Sequence, residues 1–348
     1  MAKALEGTDA LYRRSEEIVL RICLLCGRIA TMAWLVLIGA TFAAQAQSGQ
    51  PQSVNPTASS VHEQQLLREL DRVTGRVTIP DKRAATLIQP EGREWRRFNV
   101  TTLPTYGGYA LLGMLGVLLL FYLLRGKIRL ENGFSGRTIV RFGGFSRFVH
   151  WLTAISFILL GLSGLNVVFG RTVLPPLIGE SAFATLSQWA KYTHNYLSVP
   201  FTVGLVFMLV IWIKDNLPNA NDLKWISAGG GLVGSQHPAA GRFNFGQKLI
   251  FWSVILVGGL IAASGYVLMF PFYATNIEGM QVAQIAHSVA GVLLIAIIFA
   301  HIYIGTLGME GAFDAMGSGE VDVNWAKTHH SLWAEQELAK SSQATPAE

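Results

Sequence analysis

Two cysteines, Cys23 and Cys26, are all the thiols in this 348-residue chain, and both stand in a leader-like N-terminal stretch. A mature chain that begins beyond them has no disulfide, no reactive thiol and no cysteine-ligated iron–sulfur cluster. Their C-x-x-C spacing does not suit covalent c-type haem attachment, because Gly27 stands where His is needed. Charge is also scarce. Asp, Glu, Lys and Arg make up 14% of the residues against 51% hydrophobic, and mean hydropathy is +0.38. These values exclude an ordinary soluble domain and point to an integral membrane protein. The net charge of +5 does not describe a nucleic-acid surface, since Lys and Arg gather in short segments beside apolar runs.

Residues 1–46 read as a signal peptide. Arg13, Arg14, Arg21 and Arg28 precede the apolar run 29–44, and Ala44-Gln45-Ala46 forms an A-x-A cleavage site ahead of Gln47. The charged leader is longer than usual and leaves an uncleaved anchor as the alternative, but sixteen apolar residues give about 24 Å of helix, short for a membrane span. Residues 47–102 are polar and open on QSGQPQSVNPTASS, a flexible linker by composition. A short charged helix is expected at 63–76, with turns at 79–82 and 89–92. The region has little apolar content for a core of its own and reads as an exported segment ordered by a partner.

Five apolar segments follow: 106–124, 148–170, 194–213, 249–270 and 284–308, each near the length of a span. The loop 125–147 carries Arg125, Lys127, Arg129, Arg137, Arg141 and Arg147, and the loop 214–248 carries Lys214, Lys224, Arg242 and Lys248. In contrast, 271–283 has neither Lys nor Arg. This bias puts both basic loops and the C-terminus in the cytoplasm and 47–102 outside. The expected fold is an all-α integral membrane protein. It has a four-helix transmembrane bundle at 138–308, an additional N-terminal transmembrane helix at 103–125 and a cytoplasmic tail at 309–348.

Chemistry enters with histidine. Of eight, His62, His237, His329 and His330 fall in polar segments and read as solvent-side residues. The other four fall in or at the edge of spans: His150 and His194 at the starts of their helices, His287 and His301 on the last one. The fourteen residues between His287 and His301 bring both to one face of a helix, with a rise of about 21 Å between them. His194 then matches the outer level of His287, and His150 the inner level of His301. Ionisable groups inside a bilayer mark pathways or cofactors. Four imidazoles in two level pairs are what axial ligation of two haems requires, and paired nitrogens suit electron transfer rather than oxygen chemistry. Ala154, Phe157, Gly161, Gly164 and Gly291 would leave room for a macrocycle or for close helix packing.

Several motifs stand in order along the chain: RFGGFSRFVHWL at 141–152, KYTHNY at 191–196, GRFNFGQK at 241–248, the His287/His301 helix, and WAKTHHSLW at 325–333. Together they resemble the cytochrome b (gamma) subunit of membrane-bound formate dehydrogenase, over about residues 138–337. The N-terminal part is similar to that of the longer members, which carry an exported segment and an extra helix. The resemblance implies two b haems, with His194 and His287 on the outer iron and His150 and His301 on the inner one. It also implies a quinone pocket near the inner haem at Asn244 and Gln247. An iron–sulfur (beta) subunit would be the electron donor, and a molybdenum- or tungsten-pterin catalytic (alpha) subunit would oxidise formate. The chain itself would be the electron-transfer subunit of a formate:quinone oxidoreductase in a bacterial inner membrane.

From the residues alone, Asn244 reads equally well as the N-cap of the helix near Lys248. Other readings remain open. They are the haem b subunit of another respiratory complex such as a nickel–iron hydrogenase, a cytochrome with ascorbate as donor, and a haem-free transporter whose histidines carry protons or a transition metal.

Overall fold

The computed structural model describes residues 92–231 and 238–343. The signal peptide, the linker, the helix expected at 63–76, Cys23, Cys26, His62 and His237 lie outside the described residues. Among the described residues, five helices are long and apolar enough to cross a membrane: α1 (Gly92–Arg125), α2 (Gly144–Val173), α3 (Glu180–Trp212), α4 (Phe245–Met269) and α5 (Ile277–Gly308). A two-stranded antiparallel sheet, β1 (Thr138–Val140) with β2 (Glu320–Asp322), pairs Ile139 with Val321. Two short helices follow, α6 (Val323–His329) and α7 (Ser331–Gln343). These elements belong to one compact unit, and Pro218–Leu223 falls in another.

Each expected span is present, and most helices run beyond its apolar limits. The largest extension is in α3, which starts at Glu180 rather than near His194. Residues 180–193 are polar enough to leave the hydropathy signal but contain no helix breaker. His194 therefore sits about four turns inside α3 rather than at its start, and His150 sits more than a turn inside α2. Upstream of the first span, α1 is helical from Gly92, where the sequence reads as a turn. A π-helical turn at Phe98–Thr102 lies just ahead of Pro104 and absorbs the hydrogen bond that proline cannot donate.

Consecutive helices form the antiparallel hairpins α2–α3 and α4–α5; α3 packs on α4, and α1 on α5. The α2–α3 contact is tight at Gly204, where a Cβ would collide with Thr153 Oγ1 and come within 3.3 Å of its Cα. The buried Thr153 hydroxyl donates to the Val149 carbonyl at 2.8 Å and is satisfied within its own helix. Phe157 and Phe201 stack across the same interface with ring centroids 5.9 Å apart. Helix α1 meets α5 through Gly107 against Val292 and through Phe121 and Tyr122, both edge-on to Tyr303.

One end of the bundle is knitted together. Leu130, Phe142, Trp212, Val321, Trp325 and Trp333 share the buried core there, so the tail packs against the ends of α2, α3 and α4. Asp322 caps α6 through the Asn324 N–H, and its other carboxylate oxygen accepts from the Ser135 N–H and hydroxyl and the Gly136 N–H at 2.8–3.0 Å. Burial alone would raise the Asp322 pKa; the donors from Ser135 and Asn324 outweigh it and hold the carboxyl below its ordinary value.

Candidate functional site

Helix α5 carries one histidine of each facing pair. The His150 and His301 ring centroids are 6.2 Å apart, and those of His194 and His287 are 5.9 Å apart. A metal about 2 Å from each of two imidazole nitrogens, with each nitrogen about 1 Å from its ring centre, separates the centroids by about 6 Å. Both pairs therefore have the spacing of two axial ligands with an iron between them. Fourteen residues of α5 set the two levels about 21 Å apart. No group of three or more His, Cys, Asp or Glu able to hold a bare metal ion occurs among the described residues. The partners come from different helices: α2 supplies His150, and α3 supplies His194.

The His194/His287 pair, placed at the outer level by the sequence reading, is held through Nδ1 of each ring. His194 Nδ1 lies 2.8 Å from Ser163 Oγ, and the Ser163 hydroxyl spends its proton on the Leu159 and Leu160 carbonyls. His287 Nδ1 lies 3.0 Å from the Ile261 carbonyl and 3.3 Å from Ser264 Oγ, which itself donates to Leu260 and Ile261. A carbonyl only accepts, so His287 is an Nδ1–H tautomer and its Nε2 carries the free lone pair. Ser163, with its own proton engaged, asks the same of His194. Room for the rings comes from the next residue in each helix. A Cβ at Gly164 would lie 3.6 Å from His194 Cε1, and one at Gly265 would lie 3.1 Å from His287 Cε1.

Gly161 faces Ile295 of α5 at 3.7 Å, the close helix packing that the sequence allows for it, while Gly291 has no atom within 4 Å of its would-be Cβ. Sequence reasoning missed Ser163 and Ser264. The available signal was the Ser-Gly step in both α2 and α4, LSG at 162–164 and ASG at 263–265. The inner pair is different. His150 Nδ1 is buried with no hydrogen-bond partner.

Asn244 caps α4. Its side-chain oxygen accepts from the Gln247 N–H at 3.0 Å, and the Gln247 side-chain oxygen accepts from the Asn244 N–H at 3.1 Å. This reciprocal box uses both carbonyl oxygens and leaves both amide NH2 groups as donors. The contact of Gly265 with His287 fixes the antiparallel register, which sets His301 level with Phe251. Asn244 then stands about 10 Å beyond that level, toward the basic end.

The strand before α2 and the tail brace the loop that ends at Asn244. Arg141, 3% exposed, donates from Nη2 to the Arg242 carbonyl at 2.6 Å and to His330 Nε2 at 3.0 Å. His330 Nδ1 donates to the Gly241 carbonyl at 2.9 Å. The guanidinium lies over Phe142, Trp325 and Trp333 at 4.9–5.3 Å. Burial, then the neighbouring Arg242 charge, lowers the Arg141 pKa to about 9, so it stays charged at neutral pH. His330 is a correction to the sequence reading. It is not a solvent-side residue but completely buried. Burial, then the Arg141 charge, pushes its pKa well below 6.5, and the neutral ring accepts from Arg141 as its tautomer requires.

The sequence profile of prokaryotic cytochrome b561 matches residues 141–319, more than half of the chain. This chain belongs to the prokaryotic cytochrome b561 family. As a member it is a multi-pass membrane protein of haem b electron transfer. All four paired histidines, Ser163, Ser264, Asn244 and Gln247 fall inside the matched region, whereas α1 and the α6–α7 tail fall outside it.

This cytochrome b561-family chain is 34% identical over 199 residues to the formate dehydrogenase cytochrome b556(fdo) subunit of Escherichia coli K12, covering 56% of the chain and 92% of that protein. It is 30% identical over 205 residues to the nitrate-inducible formate dehydrogenase cytochrome b556(Fdn) subunit of the same organism, covering 57% and 91%. It is 25% identical over 220 residues to the formate dehydrogenase cytochrome b556 subunit of Haemophilus influenzae, covering 61% and 87%.

Proposed function

We propose that this cytochrome b561-family chain is the membrane cytochrome b subunit of a formate dehydrogenase. It would carry electrons from an iron–sulfur subunit through two b haems to quinone. The observation that carries the proposal is the pair of imidazole pairs, 5.9 and 6.2 Å between ring centroids, at two levels of α5. The names of the relatives support the choice of formate dehydrogenase.

His194 and His287 hold the outer haem, and His150 and His301 hold the inner one. When bound, each haem would supply a one-electron couple, held by the imidazoles of its histidine pair. The chain's own task is to present four Nε2 lone pairs and to keep water from the ring faces. Asn244 and Gln247, with free amide NH2 groups, form the polar edge of a quinone pocket beside the inner level and donate hydrogen bonds to a quinone carbonyl.

The Lys- and Arg-rich loops and the tail face the cytoplasm of a bacterial inner membrane, and residues 47–102 face the periplasm, as the charge bias demands. Formate is oxidised by a molybdenum- or tungsten-pterin subunit outside. Electrons passing inward and protons taken up by quinone inside then build a proton motive force.

A dithionite-reduced minus oxidised spectrum of the purified chain, with a pyridine haemochrome count, tests the ligand set. About two haem b per chain are expected from two bis-histidine sites. A folded chain, supplied with haem during expression and still colourless, would sink the assignment. Co-purification with a nickel–iron hydrogenase large subunit in place of an iron–sulfur and pterin pair would overturn the choice of complex.

A further inference from the structure

The two histidine pairs are not equivalent, and the difference lies in what their ring N–H groups meet. On the outer level the same device occurs twice, once in α2 and once in α4. A serine follows a backbone carbonyl by one helical turn, and a glycine comes next: Leu160, Ser163, Gly164, and Ile261, Ser264, Gly265. Each serine gives its proton back to its own helix and turns a lone pair toward the imidazole N–H. The Ile261 carbonyl is a second acceptor for the His287 Nδ1–H. Each glycine lets the ring lie against the helix. Neither ring of the inner pair has a hydrogen-bond partner among the described residues, and the His150 Nδ1 is buried.

An imidazole that donates its N–H to a good acceptor becomes a more basic ligand and favours the ferric over the ferrous iron it binds. We infer that Ser163-Gly164 and Ser264-Gly265 are positioning residues that lock both outer imidazoles as Nδ1–H tautomers and hold the outer haem at a lower potential than the inner one. Electron transfer from the outer to the inner level is then downhill because only the outer imidazoles give their N–H groups to acceptors. The inference rests on the ligand assignment proposed above.

The test is a potentiometric titration of the α-band in the full chain, with Ser163→Ala, Ser264→Ala and the double variant. The outer haem is identified as the one that survives His301→Ala. Acceptors that favour the ferric over the ferrous state about tenfold in total hold the outer potential down by about 59 mV for one electron, so their removal shifts it upward by about that amount. The inner haem stays where it was. Ser264→Ala keeps the Ile261 acceptor for His287, so it gives the smaller shift of the two single variants and retains its haem.

Gly265→Ala gives a second readout, because its methyl would sit 3.1 Å from His287 Cε1 and must rotate the ring. The low-spin ferric electron paramagnetic resonance signal of the outer haem is expected to move, and that of the inner haem is not. Two bound haems with outer potentials unchanged in the double variant, or both potentials shifted alike, would overturn the inference while leaving the ligand assignment standing. A haem-free parent chain would remove the ligand assignment, and this inference with it.

Discussion

Acidification should loosen the C-terminal tail, and His330 sets where. Docked, His330 accepts from Arg141 at 3.0 Å through Nε2 and donates to Gly241 at 2.9 Å through Nδ1, so the docked ring is neutral. Burial and the Arg141 charge hold its pKa well below 6.5, whereas a released tail regains about that ordinary value. A base with a depressed folded pKa contributes its full stability above the unfolded pKa and loses it as pH falls toward the folded one.

Between pH 7.5 and 6.5 little should change. At pH 5.5 the released state is favoured by about 1.4 kcal/mol more than at neutral pH, an approximately tenfold larger open fraction. Hydrogen–deuterium exchange of the peptide covering α6 and α7, corrected for the intrinsic pH dependence of exchange, reads this directly. The His330→Gln variant keeps an acceptor for Arg141 without a titrating ring, and should flatten the dependence below pH 6.5. Protection that is constant from pH 7.5 to 5.5 in the parent chain, or an identical pH profile in His330→Gln, would refute the reasoning.

Other substitutions separate the parts of the site. His301→Ala should lose the inner haem and quinone reduction while keeping the outer haem, and His287→Ala should do the reverse, as counted by pyridine haemochrome. Loss of neither haem in either variant would undo the pairing. At Asn244, alanine should cost about 1 kcal/mol through the lost cap, whereas aspartate keeps the cap but has no NH2. If Asn244 donates to quinone, Asn244→Asp keeps thermal stability yet loses quinone reduction as Asn244→Ala does; full activity in the aspartate variant would remove it from the pocket. Gly204→Val forces a branched side chain onto Thr153, and overpacking of this kind costs about 1–3 kcal/mol, measurable as a lowered unfolding temperature in detergent.

The spans and the facing histidines were legible because a bilayer accepts few polar residues, so the apolar runs and their exceptions stand out. Helix ends were less so. Glu180 to Thr193 continues α3 with polar, helix-compatible residues, and hydropathy cannot distinguish such a stretch from a loop. His330 was misread because the partner that buries it, Arg141, lies 189 positions away, and nothing local signals that contact. The seats at Ser163 and Ser264 were hidden for another reason. A serine bonding to its own preceding turn is common in membrane helices, and only the ring N–H that reaches its second lone pair gives it meaning. Asn244 looked like a cap or a ligand contact; the cap occupies its oxygen alone and leaves room for both.

Helix α3 has 33 residues and is about 50 Å long, against about 30 Å of hydrocarbon. Its Trp212 end is anchored in the core shared with the tail, so the excess lies entirely at the Glu180 end. Helix α4, with 25 residues, spans about 38 Å and has little to spare. The two respond differently to bilayer thickness: a thicker membrane simply wets less of α3, but it must thin around α4. The level of His194, far from either terminus of its helix, is thus insulated from the lipid, and the bundle meets changes in bilayer thickness at the short 269–277 turn instead.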